Sequence, residues 1–182
     1  LVITLTGVCQ NVDRIKAVRV MNAATRRIPF QRKIGAGLSV VEFREKISTK
    51  KITGHVGLEQ SIGMIASALR WDLDKIKVEQ VEPVIAQRQV ESEAIRVRKG
   101  QVAGIRQTAR GVMKGDDIIT LDFRAYLGAE EEYDSITIEG VPPINQRISP
   151  CVHGDYATVA VIVNSIPKII KAPPGLVAMK DL

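Results

Sequence analysis

One short stretch near the middle of the chain restricts its fold more than any other. In residues 118–127, Ile119, Leu121, Phe123, Ala125 and Leu127 alternate with Thr120, Asp122, Arg124 and Tyr126. A period of two belongs to an extended strand with one face buried and the other polar. Residues 102–113 are also strand-like, and Lys114-Gly115-Asp116-Asp117 between the two arms has the composition of a hairpin turn. A sheet built on this hairpin must bury its apolar face against something, and the rest of the chain supplies helices.

Residues 1–10 read as the end of an apolar helix, and 12–23 as a strand in which Val12, Ile15, Val18 and Val20 are interleaved with charges. Arg26-Arg27-Ile28-Pro29 is expected to be a loop, because a proline pushes the residue before it out of the helical region. At Gly35-Ala36-Gly37-Leu38-Ser39 the chain turns into a helix, where Ser39 and Glu42 have the spacing of a capping box. A longer helix is expected over 55–70, since Leu58, Ile62, Ile65, Ala66 and Leu69 recur at spacings of three and four. Residues 76–86 are strand-like as far as Pro83, and 95–98 and 136–139 are shorter strands, the last closed by Gly140 and Pro142-Pro143. Residues 154–170 form an almost wholly apolar helix, with Asp155 and Thr158 placed to cap it. Such a helix is expected to be covered on most sides, by its own sheet or by a further domain. The fold class that results is α+β: one domain over 1–182, with a mostly antiparallel sheet and helices packed on one face.

Composition narrows the function. A chain of 182 residues with 45% hydrophobic and 25% charged residues can form a real core. At 4% aromatic, that core must rest on Val, Ile, Leu and Ala. No apolar run reaches the length of a membrane span, so no membrane partner is expected. The abrupt apolar start, with no basic stretch before it, leads us to expect a longer native chain rather than a signal sequence. The net charge of +6 is compatible with nucleic acid or with anionic small molecules. The basic residues are scattered and aromatics do not interleave with them, so no nucleic-acid partner is expected. Cys9 and Cys151 match no metal spacing and read as reduced thiols of a cytoplasmic protein. Nucleophile-elbow and zinc motifs are missing, so hydrolytic and zinc chemistry have no support.

Four features can carry chemistry, and each has a plainer reading beside it. Gly35-Ala36-Gly37 is not a dinucleotide fingerprint, because it lacks the third glycine and the buried strand before it. It can still let a carboxylate approach backbone amides, with Lys33 as an added cation, or it can be an ordinary turn beside a solvated lysine. Arg26 and Arg27 can clasp a carboxylate in a fork, or be one solvated and one salt-bridged arginine. Arg106 and Arg110 share a strand face that can line an anionic pocket, meet solvent or form a dimer contact. His55, between Gly54 and Gly57 at an expected helix start, can act as a neutral acid or base, or serve as a local cap.

The residues Asn22-Ala23-Ala24-Thr25-Arg26-Arg27-Ile28-Pro29-Phe30-Gln31-Arg32-Lys33-Ile34-Gly35-Ala36-Gly37-Leu38 resemble a signature of the dihydrodipicolinate-reductase-like family, in its 2,4-diaminopentanoate dehydrogenase branch. Gly54-His55-Val56-Gly57-Leu58-Glu59-Gln60-Ser61, Tyr126-Leu127-Gly128-Ala129-Glu130, Ala172-Pro173-Pro174-Gly175-Leu176 and Met179-Lys180-Asp181-Leu182 extend the resemblance over almost the whole chain. The resemblance implies a C-terminal domain that holds a small amino-acid-like substrate and forms a homo-oligomer through its sheet. It also implies NAD or NADP, bound mainly by an N-terminal Rossmann domain that this chain lacks. Lys33 and the turn at Gly35, Ala36 and Gly37 resemble the family's substrate-binding lysine and short turn. Lys33 and His55 are then the expected catalytic residues, with Arg27, Gly35, Ala36, Gly37 and Arg106 as substrate contacts.

The turn offers amides but no hydroxyls, and the paired histidines of dihydrodipicolinate reductases are missing. The resemblance therefore favours an amine dehydrogenase, with dihydrodipicolinate reductase proper as an alternative. A stand-alone module binding a small amino acid is a further reading; an upstream glycine-rich βαβ unit would count against it. A nucleic-acid-binding domain would require binding that falls steeply with salt.

Overall fold

The computed structural model describes every residue from Leu1 to Leu182. The central hairpin forms as its alternation requires. β6 (Val102–Met113) and β7 (Asp116–Tyr126) pair antiparallel across a turn in which Lys114 and Gly115 both have positive φ, 54° and 86°. Two such residues make the tight turn whose twist matches that of the flanking strands.

Around this hairpin lies a seven-stranded sheet. β1 (Asn11–Asn22) lies parallel to β7 and antiparallel to β8 (Tyr133–Val141), which in turn pairs with β9 (Ile144–Ile148). On the other side of the hairpin, β2 (Lys75–Val78) and β3 (Glu82–Ile85) share the free edge of β6. Pro83 is thus a strand residue rather than a strand end, as an edge strand permits, since it has no N–H to donate. β4 (Val90–Glu91) and β5 (Arg96–Val97) form a separate small ladder. Only the β1–β7 pairing is parallel, so the sheet is mostly antiparallel.

The two sheet faces are chemically distinct. Ile15, Ala109, Ile119, Phe123, Ala125, Ile136 and Ile138 point to one side and are buried. Over them packs α4 (Leu58–Leu69), whose Leu58, Ile62, Ile65 and Ala66 are buried. Burying each Leu or Ile contributes about 1.5–3 kcal/mol before entropy is counted. α1 (Val2–Thr6) leans on α4, and α3 (Val40–Ser48) inserts Phe43 into the same core. The capping box at its start forms as expected: Glu42 N–H donates to Ser39 Oγ at 3.2 Å, and Ser39 N–H donates back to Glu42 Oε2 at 2.8 Å. These helices therefore lie on one face of the sheet, in an α+β fold.

Four local expectations are corrected. Ile28 and Pro29 open a helix, α2 (Ile28–Lys33), instead of lying in a loop. Proline is tolerated in a first turn, where its missing N–H has no intrahelical acceptor. The helix expected from His55 begins only at Leu58, behind Gly57 with φ of 106°. The final helix, α5 (Gly154–Ile169), has no buried residue, and Val159, Ile162, Val163 and Ile166 are each more than half exposed. The covered side of the sheet is already occupied by α4, so its own sheet does not cover α5. Nor does Asp155 cap it: no side chain caps this helix, and Thr158 Oγ1 donates to Gly154 O at 2.8 Å.

Candidate functional site

A cavity of about 310 Å³ opens between the covered face of the sheet and α4. That is near the lower end for small-molecule sites, about 300–1,000 Å³. Ala17, Leu58, Met64, Ile65, Leu121 and Ile136 make most of its wall apolar. Six polar residues also line it: Ser61 of α4, Asp122 and Ser135 of the strands, and the three with charged or titratable groups on the covered face or its loop, Arg19, Asp134 and His55.

Strand register explains the pairing of Arg19 with Asp134. Arg19 on β1 lies opposite Asp134 on β8 and opposite Phe123 on β7, all on the covered face. Arg19 Nε donates to Asp134 Oδ1 at 2.6 Å and Nη2 donates to Oδ2 at 2.9 Å. The Val152 N–H adds a third bond to Oδ2, at 2.9 Å. The Asp134 side chain is 9% exposed and Arg19's is 33%. A nearly buried carboxylate thus has its lone pairs met, while the arginine shows one edge to the cavity.

His55 reaches the cavity from the loop before α4. Its ring stacks on Phe123, with centroids 4.1 Å apart. Its backbone N–H donates to Gln107 Oε1 at 2.9 Å, and Gln107 Nε2 donates to Glu79 O at 3.2 Å. Gln107 is buried and shares the row of Phe123 across the strands, so a polar side chain inside the sheet fixes the loop. Burial lowers the pKa of His55 below its ordinary 6.5, and the charges of Lys33 and Arg19 lower it further. The imidazole is therefore neutral near pH 7. Its neutrality comes from the Phe123 face and two cations, not from a helix start, because α4 begins three residues later.

The expected residues divide into two groups. His55 lines the cavity, whereas Lys33, exposed in the last turn of α2, does not, although its charge acts on the His55 ring. Gly35, Ala36 and Gly37 do not supply free amides. Their N–H groups donate to Arg32 O at 3.0 Å, Gln31 O at 3.2 Å and Val102 O at 2.9 Å. The turn is a splice between α2 and the start of β6, tied also by Gln101 Nε2 to Gly37 O at 2.8 Å.

Arg27 lies outside the cavity. It meets Asp155 at 3.4 Å near the start of α5, with its side chain 78% exposed. Arg106 is on the opposite face of the sheet. There Arg106 Nη2 lies 3.0 Å and Arg124 Nη2 2.6 Å from Asp122 Oδ2, and Asp122 is 5% exposed. Arg19, Asp134 and Gln107 were not singled out from the sequence. The sequence offers no parity signal for Arg19, because the outward Val18 and Val20 of β1 are as apolar as the inward Ala17 and Met21, and only the strand register shows which way Arg19 points.

Both cysteines are free thiols, and burial raises the pKa of Cys151, with Glu132 and Asp134 adding to the effect. No group of His, Cys, Asp and Glu is arranged to hold a metal ion. No helix is long and apolar enough to cross a membrane.

Comparison with known proteins adds a family to this geometry. The model of the 2,4-diaminopentanoate dehydrogenase C-terminal domain matches residues 1–182. A 2,4-diaminopentanoate dehydrogenase from Acetoanaerobium sticklandii is 36% identical over 186 residues, covering 100% of this chain and 53% of that protein. The chain thus spans about half the length of this curated relative. Among solved structures, an amine dehydrogenase from Mycobacterium smegmatis shares the fold, with a TM-score of 0.81 at 21% identity over 99% of this chain and 54% of that one.

Proposed function

Since the chain belongs to the 2,4-diaminopentanoate dehydrogenase C-terminal domain family, we propose that it is the substrate-binding and subunit-forming half of an NAD- or NADP-dependent dehydrogenase acting on a small amino acid of the diaminopentanoate kind. The observation that carries this reading is the apolar cavity into which Arg19, Asp134 and His55 converge. A mostly apolar pocket with a few converging polar groups is the usual form of a small-molecule site. Its volume of about 310 Å³ suits a five-carbon amino acid.

The reaction class is oxidative deamination. A substrate ammonium loses a proton and its carbon loses a hydride; the resulting iminium adds water and releases ammonium, leaving a ketone. The nicotinamide group supplies the hydride acceptor when bound. The residues of this chain do not fit the rest of a dinucleotide, because the glycine turn has no amide left for a pyrophosphate. Cofactor binding is assigned to the part of the protein that lies outside this chain.

His55 and Lys33 fit the chemistry of this chain's half. A neutral imidazole can take the proton that an ammonium must lose before its carbon can be oxidised. Lys33 beside it favours the unprotonated amine and attracts a carboxylate. The open sheet face, where Lys16, Thr108, Thr120, Arg124 and Thr137 are all at least partly exposed, is the proposed contact between two copies.

The test is oxidation of 2,4-diaminopentanoate by the full-length protein with NAD or NADP, with this chain alone as the control. Reduced nicotinamide formed only by the full-length protein supports the reading, and silence with both cofactors rejects this substrate. For the dimer, a monomer in sedimentation at roughly tens of micromolar would reject a substantial sheet interface.

A further inference from the structure

We infer that the cavity-facing edge of Arg19 is the anchor for a substrate carboxylate, and that Asp134 is the positioning residue that holds the guanidinium in place. This rests on the proposed function for the identity of the substrate, but not for the presence of a carboxylate site. The side-on fork uses Nε and Nη2 of Arg19. Nη1 has no partner in the protein, and Arg19 lines the cavity. A guanidinium held in this way presents its remaining N–H groups in a fixed direction, with little rotamer entropy left to lose on binding.

Asp134 itself is a poor site for a ligand ammonium. Its two oxygens already accept from Arg19 and from the Val152 N–H, and its side chain is nearly buried. The charges agree with this assignment. The Arg19–Asp134 pair is neutral as a unit, His55 is neutral, and Lys33, whose charge acts on His55 from outside the cavity wall, remains as a cation. One incoming carboxylate brings the group to zero. The carboxylate expected at the glycine turn is thus relocated to β1, where a donor is free. With the carboxylate there, the apolar wall of Ala17, Leu121 and Ile136 is left for the substrate's carbon chain.

The experiment measures binding to the full-length protein by calorimetry. It compares 2,4-diaminopentanoate with 1,3-diaminobutane, the same molecule without its carboxyl group, and steady-state turnover is recorded in parallel. In the wild type, the carboxylate-bearing ligand binds more tightly. In Arg19→Gln that preference falls about 10–100-fold, the worth of a hydrogen bond to a charged group, while binding of 1,3-diaminobutane does not weaken.

Arg19→Lys keeps the cation without the fork and gives an intermediate preference. It also serves if Arg19→Gln does not fold. Asp134→Asn lowers the preference less than Arg19→Gln, and shows it as a raised KM with kcat little changed. Equal loss for both ligands in the Arg19 variants means a structural role and overturns the inference. So does a wild-type protein that binds the two ligands equally. Carboxylate-dependent binding that Arg19→Gln removes, in a protein that does not turn over 2,4-diaminopentanoate, would reject the substrate reading and uphold this site.

Discussion

The side-chain oxygen of Gln107, in the middle of β6, accepts the backbone N–H of His55 at 2.9 Å from a loop 52 positions earlier in the chain. This bond joins the sheet to the loop that carries the candidate base. Gln107→Leu would keep the volume but leave the His55 N–H and the Glu79 carbonyl without their partner. The expected cost is about 1–3 kcal/mol of stability, as for a part-buried group left unsatisfied. A denaturant melt showing no loss would mean that the loop is held by other contacts. In the full-length enzyme, turnover should fall further than stability alone explains, because the His55 ring loses its position on Phe123.

The titration of His55 gives a second expectation. Burial against Phe123, then the charges of Lys33 and Arg19, lower its folded-state pKa below 6.5. A histidine with a depressed pKa binds more protons in the unfolded chain. Its contribution to stability is therefore complete above pH of about 6.5 and is lost as pH falls through the folded-state value. The ring resonances of His55, followed by NMR, should show a midpoint below 6.5 that rises in Lys33→Gln. A midpoint at or above 6.5 in the wild type would contradict the stacked, cation-flanked geometry.

Lys33 itself is exposed and holds no part of the core. Lys33→Ala should leave stability within about 0.5 kcal/mol, as is usual for surface positions. Turnover of the full-length enzyme should fall far more than that. Near-normal kcat/KM would remove Lys33 from the site.

On the open face, Asp122 lies between Arg106 and Arg124, which are themselves direct cross-strand neighbours. Burial pushes the Asp122 carboxyl up, but the hydrogen bonds from Arg124 and Arg106 outweigh it and hold the pKa below the ordinary 3.8. Its contribution is present above that pH and lost as pH falls below it. Asp122→Asn would leave two like charges opposite each other. The expected cost at neutral pH is about 1–3 kcal/mol, below that of a fully buried pair because both arginines are partly exposed. Equal thermal stability of variant and wild type at pH 7 would count against this.

Gly35 has φ of 75°, and a Cβ added there would sit 2.7 Å from Cδ2 of Phe43, a fully buried ring. Gly35→Ala should cost about 2–4 kcal/mol from the left-handed backbone and the overpacking together. An unchanged urea midpoint would show that the turn relaxes freely. The loss reads on folding, in keeping with a turn that joins two elements rather than one that binds a ligand.

Local features of this fold were legible in the sequence, and non-local ones were not. The hairpin at Lys114-Gly115, the capping box at Ser39 and Glu42, and the apolar stripe of α4 each involve residues a few positions apart. Propensity and spacing alone identify them. Arg19 and Asp134 are 115 positions apart, and only the pairing of β1 with β8 brings them together. In β1 the outward Val18 and Val20 are as apolar as the inward Ala17 and Met21, so alternation there gave no parity from which to single out Arg19. Likewise, Gly35-Ala36-Gly37 looked open because a sequence shows which amides exist but not which carbonyls they meet. β9 was hidden behind Pro142-Pro143, a pair that reads as the end of a strand rather than a turn into another.

The position of β1 bears on how the chain is made. This strand is synthesised early, yet it lies between two neighbours, β7 and β8, that are synthesised late. A ribosome adds roughly 5–20 residues per second. With 115 positions between Arg19 and Asp134, β1 waits roughly 6–23 seconds for its second neighbour. Throughout that time at least one edge of the strand is open to any other extended peptide. Soluble yield should therefore follow translation speed and chaperone supply more closely than the final stability of the sheet.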